Sequence, residues 1–321
     1  MRASGTKRPA AASLATLAVL IAAAVGCQSG GGETAPSPSR STPSTTSSGP
    51  RAHVLAVKID NVGPARPQTG LDKADIVYVE QVEAGLSRIL AAYSSRMPPV
   101  VGPVRSARET DLELLRQFDR PTLAFSGAQA KLLPAIEAAP LNPLPPTADP
   151  GAYFRGSDRA APHNLYLRPG KTPHATTGVN AAEDIGLRFA APPPGGRPLA
   201  GHTVRYPAAR FAFTWSADRH RWLVDMDGTP ARTSDGARLG AADVIVQYVT
   251  VHPSLYQDRW GSTSPYTETV GSGSALVLRN GKGYDVRWSR PTADSTTSFT
   301  TPDGKRMTFA PGQVWIVFAS K

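Results

Sequence analysis

The stretch 190–201, AAPPPGGRPLAG, constrains this chain more than any other. Pro192, Pro193, Pro194 and Pro198 fix φ and remove backbone donors, and Gly195-Gly196 loosens what lies between them. Neither a helix nor an internal strand can run through such a segment. It is the clearest internal boundary, and the hydrophobic pattern changes across it. Before it, apolar strands alternate with helical periodicity. After it, the chain reads as β almost throughout. The reading is therefore α+β: an N-terminal mixed α/β part over 51–195 packed with a C-terminal β-rich part over 202–321.

In the first part, 54–59, 76–79 and 88–95 read as strands, the second running on through Glu80, Val82 and Glu83. Residues three apart on a regular strand face opposite ways, so Glu80 and Glu83 can share a site only through a bend near Ala84-Gly85. A fourth strand is expected at 121–125, a helix at 128–138 interrupted near Pro134, and another over 172–189 with Thr172 as its cap. In the second part, 210–215 with 221–226, and 275–278 with 284–288 across Asn280-Gly281, read as hairpins. A β-branched strand is expected at 244–251, and strands at 307–309 and 314–318 close the chain. Trp215, Trp222, Trp288 and Trp315 read as core or sheet-face residues rather than a ligand platform, and the Asp225-x-Asp227-Gly228 stretch as a turn rather than a calcium loop.

Pro99 to Phe118, PVVGPVRSARETDLELLRQF, organises the first part. Ser106 followed by Glu109 fits a capping box. Leu112, Leu115 and Phe118 give the helix an apolar stripe, so a helix over 107–118 is expected. Arg105 and Arg108 then lie at a helix N-terminus, where cations are disfavoured. Either an anionic ligand or the protein's own carboxylates must offset that. Arg66, between Pro64 and Pro67, sits in a stiffened loop that suits either binding or bracing. The loops 60–67, 102–108 and 126–128 are expected to converge at the carboxyl ends of strands.

The N-terminus gives an address. Arg2, Lys7 and Arg8 precede an uncharged run, 9–26, that is short and Ala-rich. It reads as a signal peptide over 1–26. Small residues just before Cys27, the single cysteine, resemble a bacterial lipobox, which implies lipidation of Cys27. Removing 26 residues leaves 295 and lowers the formal charge from +10 to +7. Residues 27–50 are Gly, Ser, Thr and Pro with almost nothing apolar, and read as a disordered tether. The positive charge suits anionic headgroups or wall polymers. It is spread along the chain, which argues against a nucleic-acid partner.

Several motifs are missing. There is no Walker A sequence, dinucleotide fingerprint, HExxH or GxSxG. His53, His163, His174, His202, His220 and His252 lack close ligand spacing, so no metal and no cofactor are expected. The candidate ligand-binding residues are Asp60, Asn61, Arg66, Arg88, Arg105, Ser106, Arg108 and Asn164, all polar groups in loops or at element ends. Glu83 and His163 are the candidate acid and base.

Particular motifs carry a resemblance. They are Val57-Lys58-Ile59-Asp60-Asn61, Ala65-Arg66-Pro67-Gln68-Thr69-Gly70-Leu71, Ala74-Asp75-Ile76-Val77-Tyr78 and Val82-Glu83-Ala84-Gly85-Leu86-Ser87-Arg88. Gly102-Pro103-Val104-Arg105-Ser106-Ala107-Arg108, Arg159-Ala-Ala-Pro-His-Asn164, Asp243-Val-Ile-Val-Gln247 and Pro311-Gly-Gln-Val-Trp315 continue it. The chain resembles the YerB-like lipoprotein family, which carries a two-part domain of unknown function (number 3048). The family pattern has Gly-Gly where this chain has Ala84-Gly85, and Thr where it has Ser87. The resemblance implies a bacterial, membrane-tethered α+β protein and no particular activity.

Three functions stay open. The first is an extracytoplasmic lipoprotein, lipid-anchored at the outer face of the cell membrane, that holds an anionic wall polymer or precursor in an arginine-rich cleft. Several arginines suit bidentate recognition of phosphates or carboxylates. The second is an enzyme acting on envelope glycopolymers, with Glu83 or His163 exchanging protons beside the arginines. The third is a structural envelope interaction protein.

Overall fold

A computed structural model describes residues 53–172, 179–258 and 261–321. The signal, lipidation and tether readings lie outside those residues. Five strands before the Pro-rich boundary join one sheet: β1 (Leu55–Asp60), β2 (Ile76–Gln81), β3 (Ser87–Tyr93), β4 (Thr122–Ala124) and β5 (Asn142–Leu144). β6 (Tyr153–Arg155) and β7 (Leu165–Leu167) make a separate hairpin. The helices are short: α1 (Glu109–Leu114), α2 (Leu133–Ala138) and α3 (Ala181–Asp184).

Beyond the boundary come β8 (Arg197–Pro198), β9 (Gly201–Tyr206), β10 (Ala209–Ser216), β11 (Arg221–Met226), β12 (Thr229–Pro230) and β13 (Gly240–Ala241). They are followed by β14 (Asp243–Val249), β15 (Val251–Gln257), β16 (Thr263–Thr267), β17 (Gly271–Arg279), β18 (Lys282–Arg290), β19 (Ser298–Thr300) and β20 (Val314–Ser320).

The largest sheet runs β19, β18, β17, β14, β20, β2, β3, β1, β4, β5, with β8 on β18. It is mixed: β20 is parallel to both β14 and β2, while β3 is antiparallel to both β1 and β2. The chain's last strand thus lies between its two halves. β20 can occupy the middle because its apolar run supplies both faces, as strands covered on both sides do. Trp315, Val317 and Ala319 join one core; Val314, Ile316 and Phe318 join the other. The first core packs against a five-stranded sheet of β9 to β13 through Phe211, Phe213 and Trp222. Trp315 lies 6.3 Å from Phe211 and 6.1 Å from Phe213, ring centre to ring centre. Truncating a Trp buried in such a place costs about 3–5 kcal/mol. The second core takes Leu114, Leu115 and Phe118 from the α1 region, Ile136 from α2 and Ile185 just after α3.

The fold class holds, with an N-terminal α/β part and β-rich remainder. The helices are corrected. The Ser106–Glu109 capping box does not form. Arg108 is the cap residue, and its backbone N–H donates to Asp111 Oδ2 at 2.7 Å. Asp111 competes successfully because it already lies in the helix's first turn and is fixed below by Lys58. Glu109 accepts instead from Ser254 Oγ at 2.5 Å. The helix is six residues long and tightens into a 3-10 turn at Leu115–Gln117 rather than spanning 107–118. The 128–138 helix likewise splits into a 3-10 turn, Ala130–Leu132, and α2, with Pro134 in the first turn where its missing N–H is harmless.

Thr172 closes a 3-10 turn by donating to Pro169 O, and Asn180 caps α3. The rest of that expected helix falls partly on 173–178, outside the described residues. The stretch 307–309 makes one isolated bridge, Phe309 with Phe189, not a strand. Both C-terminal hairpins stand as expected. The second turns on Asn280 (φ 49°) and Gly281 (φ 71°), the left-handed pair that a two-residue hairpin requires.

Candidate functional site

The site grows from sheet register. Side chains two apart share a face. Lys58 and Asp60 on β1, Glu80 on β2 and Arg88 on β3 all fall on the face that carries α1. Cross-strand pairing places Arg88 opposite Asp60 on one side and opposite Glu80 on the other. Four charged residues thus continue the rows that, further along, carry Ala56, Tyr78, Leu90 and Ala92 into the core. Lys58 is fully buried and pairs with both Glu80 and Asp111, the latter at 2.6 Å.

The segment 102–108 is pinned over this row. Asp60 N donates to Pro103 O at 2.9 Å and Arg105 N to Lys58 O at 2.8 Å. On its other side, Ser126 N donates to Arg105 O at 2.9 Å and Ala107 N to Gly127 O at 3.0 Å. The three loops expected to converge do converge, by backbone hydrogen bonds. Val100 and Val101 form no strand; this segment is held by isolated bridges instead.

Backbone pinning delivers the side chains. Asp60 Oδ2 lies 2.9 Å from His163 Nδ1 and 3.1 Å from Arg105 Nε. Arg108 Nη2 donates to Glu83 Oε2 at 2.7 Å, and Ser264 of β16 donates to the other Glu83 oxygen. Arg88 Nη1 reaches Ser106 O at 3.4 Å, so Ser106 takes part through its backbone. Arg155 Nη1 donates to Asn164 Oδ1 at 2.8 Å, beside His163. Asp60, Glu83, Arg88, Arg105, Ser106, Arg108 and His163 therefore form one neighbourhood, with Asn164 at its border.

Two predicted residues serve differently. Asn61 is a buried bracket. Its Oδ1 accepts from Gln68 Nε2 at 2.7 Å and Arg66 Nε at 3.1 Å, and its Nδ2 donates to Ser87 Oγ at 2.9 Å. Arg66 turns away from Arg105 and Arg108: its Nη1 lies 2.8 Å from Asp227 Oδ2 in the β11–β12 turn. The stiffened loop aims it across to the second half of the chain.

Electrostatics follows from burial. Burial pushes Glu80 up to about 7, against the pull of Lys58. Burial also works upward on Glu83, but the hydrogen bond and charge of Arg108, with Ser264, hold it at about 2. Arg88 is pushed down to about 10, first by burial and then by the like charge of Arg108. Yet the donors are not spent. Among the described residues, Nε of Arg88, Arg105 and Arg108 are all buried without a hydrogen-bond partner; Arg105 Nε is close to Asp60 but not aligned with it. Buried unsatisfied donors are rare, and three around one centre require an explanation.

Sequence reasoning missed Lys58, Asp111 and Ser264. Lys58 read as an interruption of an apolar strand. Its burial in such a strand was itself the signal, since a buried ammonium demands carboxylates nearby. Ser264, 181 residues from Glu83, left no signal. The bend at 83–85 does bring Glu83 round, so that Glu80 and Glu83 both act on Arg88.

Comparison with known proteins agrees with the fold. Residues 41–182 match the family "Protein of unknown function (DUF3048) N-terminal domain", and residues 202–316 match its C-terminal domain. The chain is 28% identical over 279 residues to the Bacillus subtilis (strain 168) protein named "Putative lipoprotein YerB", covering 82% of this chain and 80% of that one. The crystal structure of the YerB protein from Bacillus subtilis matches with a TM-score of 0.68 at 23% identity, over 84% of this chain and 91% of that one. The chain belongs to the DUF3048 family.

Proposed function

We propose that this DUF3048 protein is a lipid-anchored envelope protein, tethered through Cys27 at the outer face of the membrane, that binds an anionic ligand at Arg88, Arg105 and Arg108. The observation that carries the reading is the gathering of the Arg88, Arg105 and Arg108 guanidiniums around Asp60 and Glu83, each with an Nε that has no hydrogen-bond partner among the described residues. Guanidinium forks match phosphate or carboxylate, and an oxyanion would meet the partly exposed heads of Arg105 and Arg108. Kinship with a protein named as a lipoprotein supports the anchor, and a wall polymer or its precursor is the ligand class within reach of a 27–50 tether.

Titration calorimetry of the Cys27→Ala chain with inorganic phosphate, pyrophosphate and purified anionic wall polymer tests this. Binding is expected, weakened about 10- to 150-fold by Arg105→Ala, the equivalent of about 1.5–3 kcal/mol for a charge-assisted hydrogen bond. Arg105→Lys restores part of it. A large loss of melting temperature in Arg105→Ala with unchanged affinity overturns the ligand site and leaves an internal brace.

One observation favours a second reading, chemistry at the same centre. Asp60 accepts from His163 Nδ1 at 2.9 Å, which fixes the tautomer and leaves Nε2 as a base. Glu83, held at about 2, is unsuited to that role. In this reading His163→Gln keeps binding and abolishes turnover of the bound polymer.

A further inference from the structure

A second site lies where Arg66 points. The loop 66–68 and the turn region 226–236 enclose a half-open cavity of about 400 Å³. That is the size range of small-molecule pockets, which favour places where separate parts of a chain meet. Pro67, Met226, Pro230 and Ala231 give it apolar walls, and Arg66 and Arg232 line it.

The cavity is held open by cross-links between its two sides. Thr69 Oγ1 donates to Ser234 Oγ at 2.9 Å, and Ser234 N donates to Gln68 O at 3.0 Å. Gln68, almost wholly buried, is fixed in turn by Asn61 Oδ1 at 2.7 Å. The arginines differ. Arg66 is neutralised by Asp227. Arg232 donates to Gly236 O at 2.8 Å and forms no ion pair among the described residues. The cavity therefore carries mostly apolar wall and one uncompensated positive charge at its edge.

We infer that this cavity binds a small anionic amphiphile, its apolar body against Met226, Pro230 and Ala231 and its anionic group on Arg232. An inorganic anion gains nothing from the walls, and an uncharged chain leaves the guanidinium unused. The inference is independent of the Arg88–Arg105–Arg108 centre, from which it shares no lining residue.

Octyl phosphate is the probe, titrated calorimetrically below its micelle concentration into the Cys27→Ala full chain. The expected result is saturable one-to-one binding, at least tenfold tighter than octanol or inorganic phosphate at this site. Arg232→Glu, an exposed change, weakens it at least tenfold and favours octyltrimethylammonium instead. Ala231→Phe fills the cavity and has the same effect on octyl phosphate. Arg105→Ala leaves binding unchanged. Absence of binding overturns the inference. So does binding that survives Arg232→Glu, and so does binding lost in Arg105→Ala while Arg232→Glu retains it, which assigns the phosphate to the other centre. Should Ala231→Phe fail to fold, the charge reversal alone decides.

Discussion

Asp60 and His163, separated by 103 residues, meet with 2.9 Å between a carboxylate oxygen and Nδ1. Arg105 approaches the same oxygen and Arg88 faces Asp60 across the β1–β3 pair. Asp60 is thus the shared counter-charge of a buried centre. Asp60→Asn keeps the shape and removes the charge, stranding Arg88 and half-buried Arg105. Breaking a buried pair in this way costs about 3–5 kcal/mol. Urea unfolding should show that loss. Because both contact one group, Asp60→Asn combined with Arg105→Ala should cost less than the two singles together, by about 0.5–3 kcal/mol. Strict additivity would mean that the 3.1 Å approach carries no energy.

Glu80 makes stability pH-dependent in an unusual direction. Its folded pKa is raised to about 7 by burial, from 4.5. Between those values the native state binds more protons than the unfolded state, so stability falls as pH rises. The contribution is fully present below about 4.5 and is lost as pH passes through about 7. Its size is of order 1–3 kcal/mol. Glu80→Gln should flatten the decline between pH 5 and pH 8, while Asp243, also raised to about 7 by burial, keeps a part of it in both proteins. If parent and variant lose stability in parallel over that range, Glu80 is not the titrating group.

How much of this was legible beforehand depends on range. Elements with local markers, such as the short apolar, β-branched and aromatic run 314–318 and the Asn280-Gly281 hairpin, were readable because their determinants are local. That β20 would lie between β14 and β2 was not, since its apolar run fits any doubly covered position. The helix ends failed for a related reason. Ser106 and Asp111 both offer local caps, and the choice was decided by Lys58, 53 residues from Asp111. The arginine cluster was legible at Arg105 and Arg108, which sit in one motif. Arg66 was misdirected, because the Asp227 that draws it away lies in the other half of the chain.

The N-terminal reading has its own check. With Cys27 acylated, the chain should partition with membranes, and Cys27→Ala should release it after signal cleavage. Fractionation followed by immunoblotting reads this out. A variant that stays membrane-bound would mean that the apolar segment 9–26 itself acts as the anchor.

The turn between β2 and β3 yields a paired prediction from two neighbouring residues. Ala84 has φ 56° and Gly85 φ 70°, both left-handed. For a residue with a Cβ that conformation costs roughly 1–2 kcal/mol, whereas glycine adopts it readily. Ala84→Gly removes the strain but loosens the unfolded chain by about 0.4–1 kcal/mol, so stability should stay level or rise by up to about 1 kcal/mol. Gly85→Ala works the other way. It adds the left-handed cost, and its methyl would stand 2.5 Å from Pro207 Cβ. Pro207 cannot yield easily, because the adjoining Ala208 N donates to Gly85 O at 2.9 Å and holds the β9–β10 turn against this one. Gly85→Ala should therefore cost about 2 kcal/mol or more. The damage should spread to Glu83, which lies in the same turn and pairs with Arg108. Thermal melts of the two variants should move in opposite directions or, for Ala84→Gly, not at all. Equal losses in both would show that the turn does not hold these angles in solution.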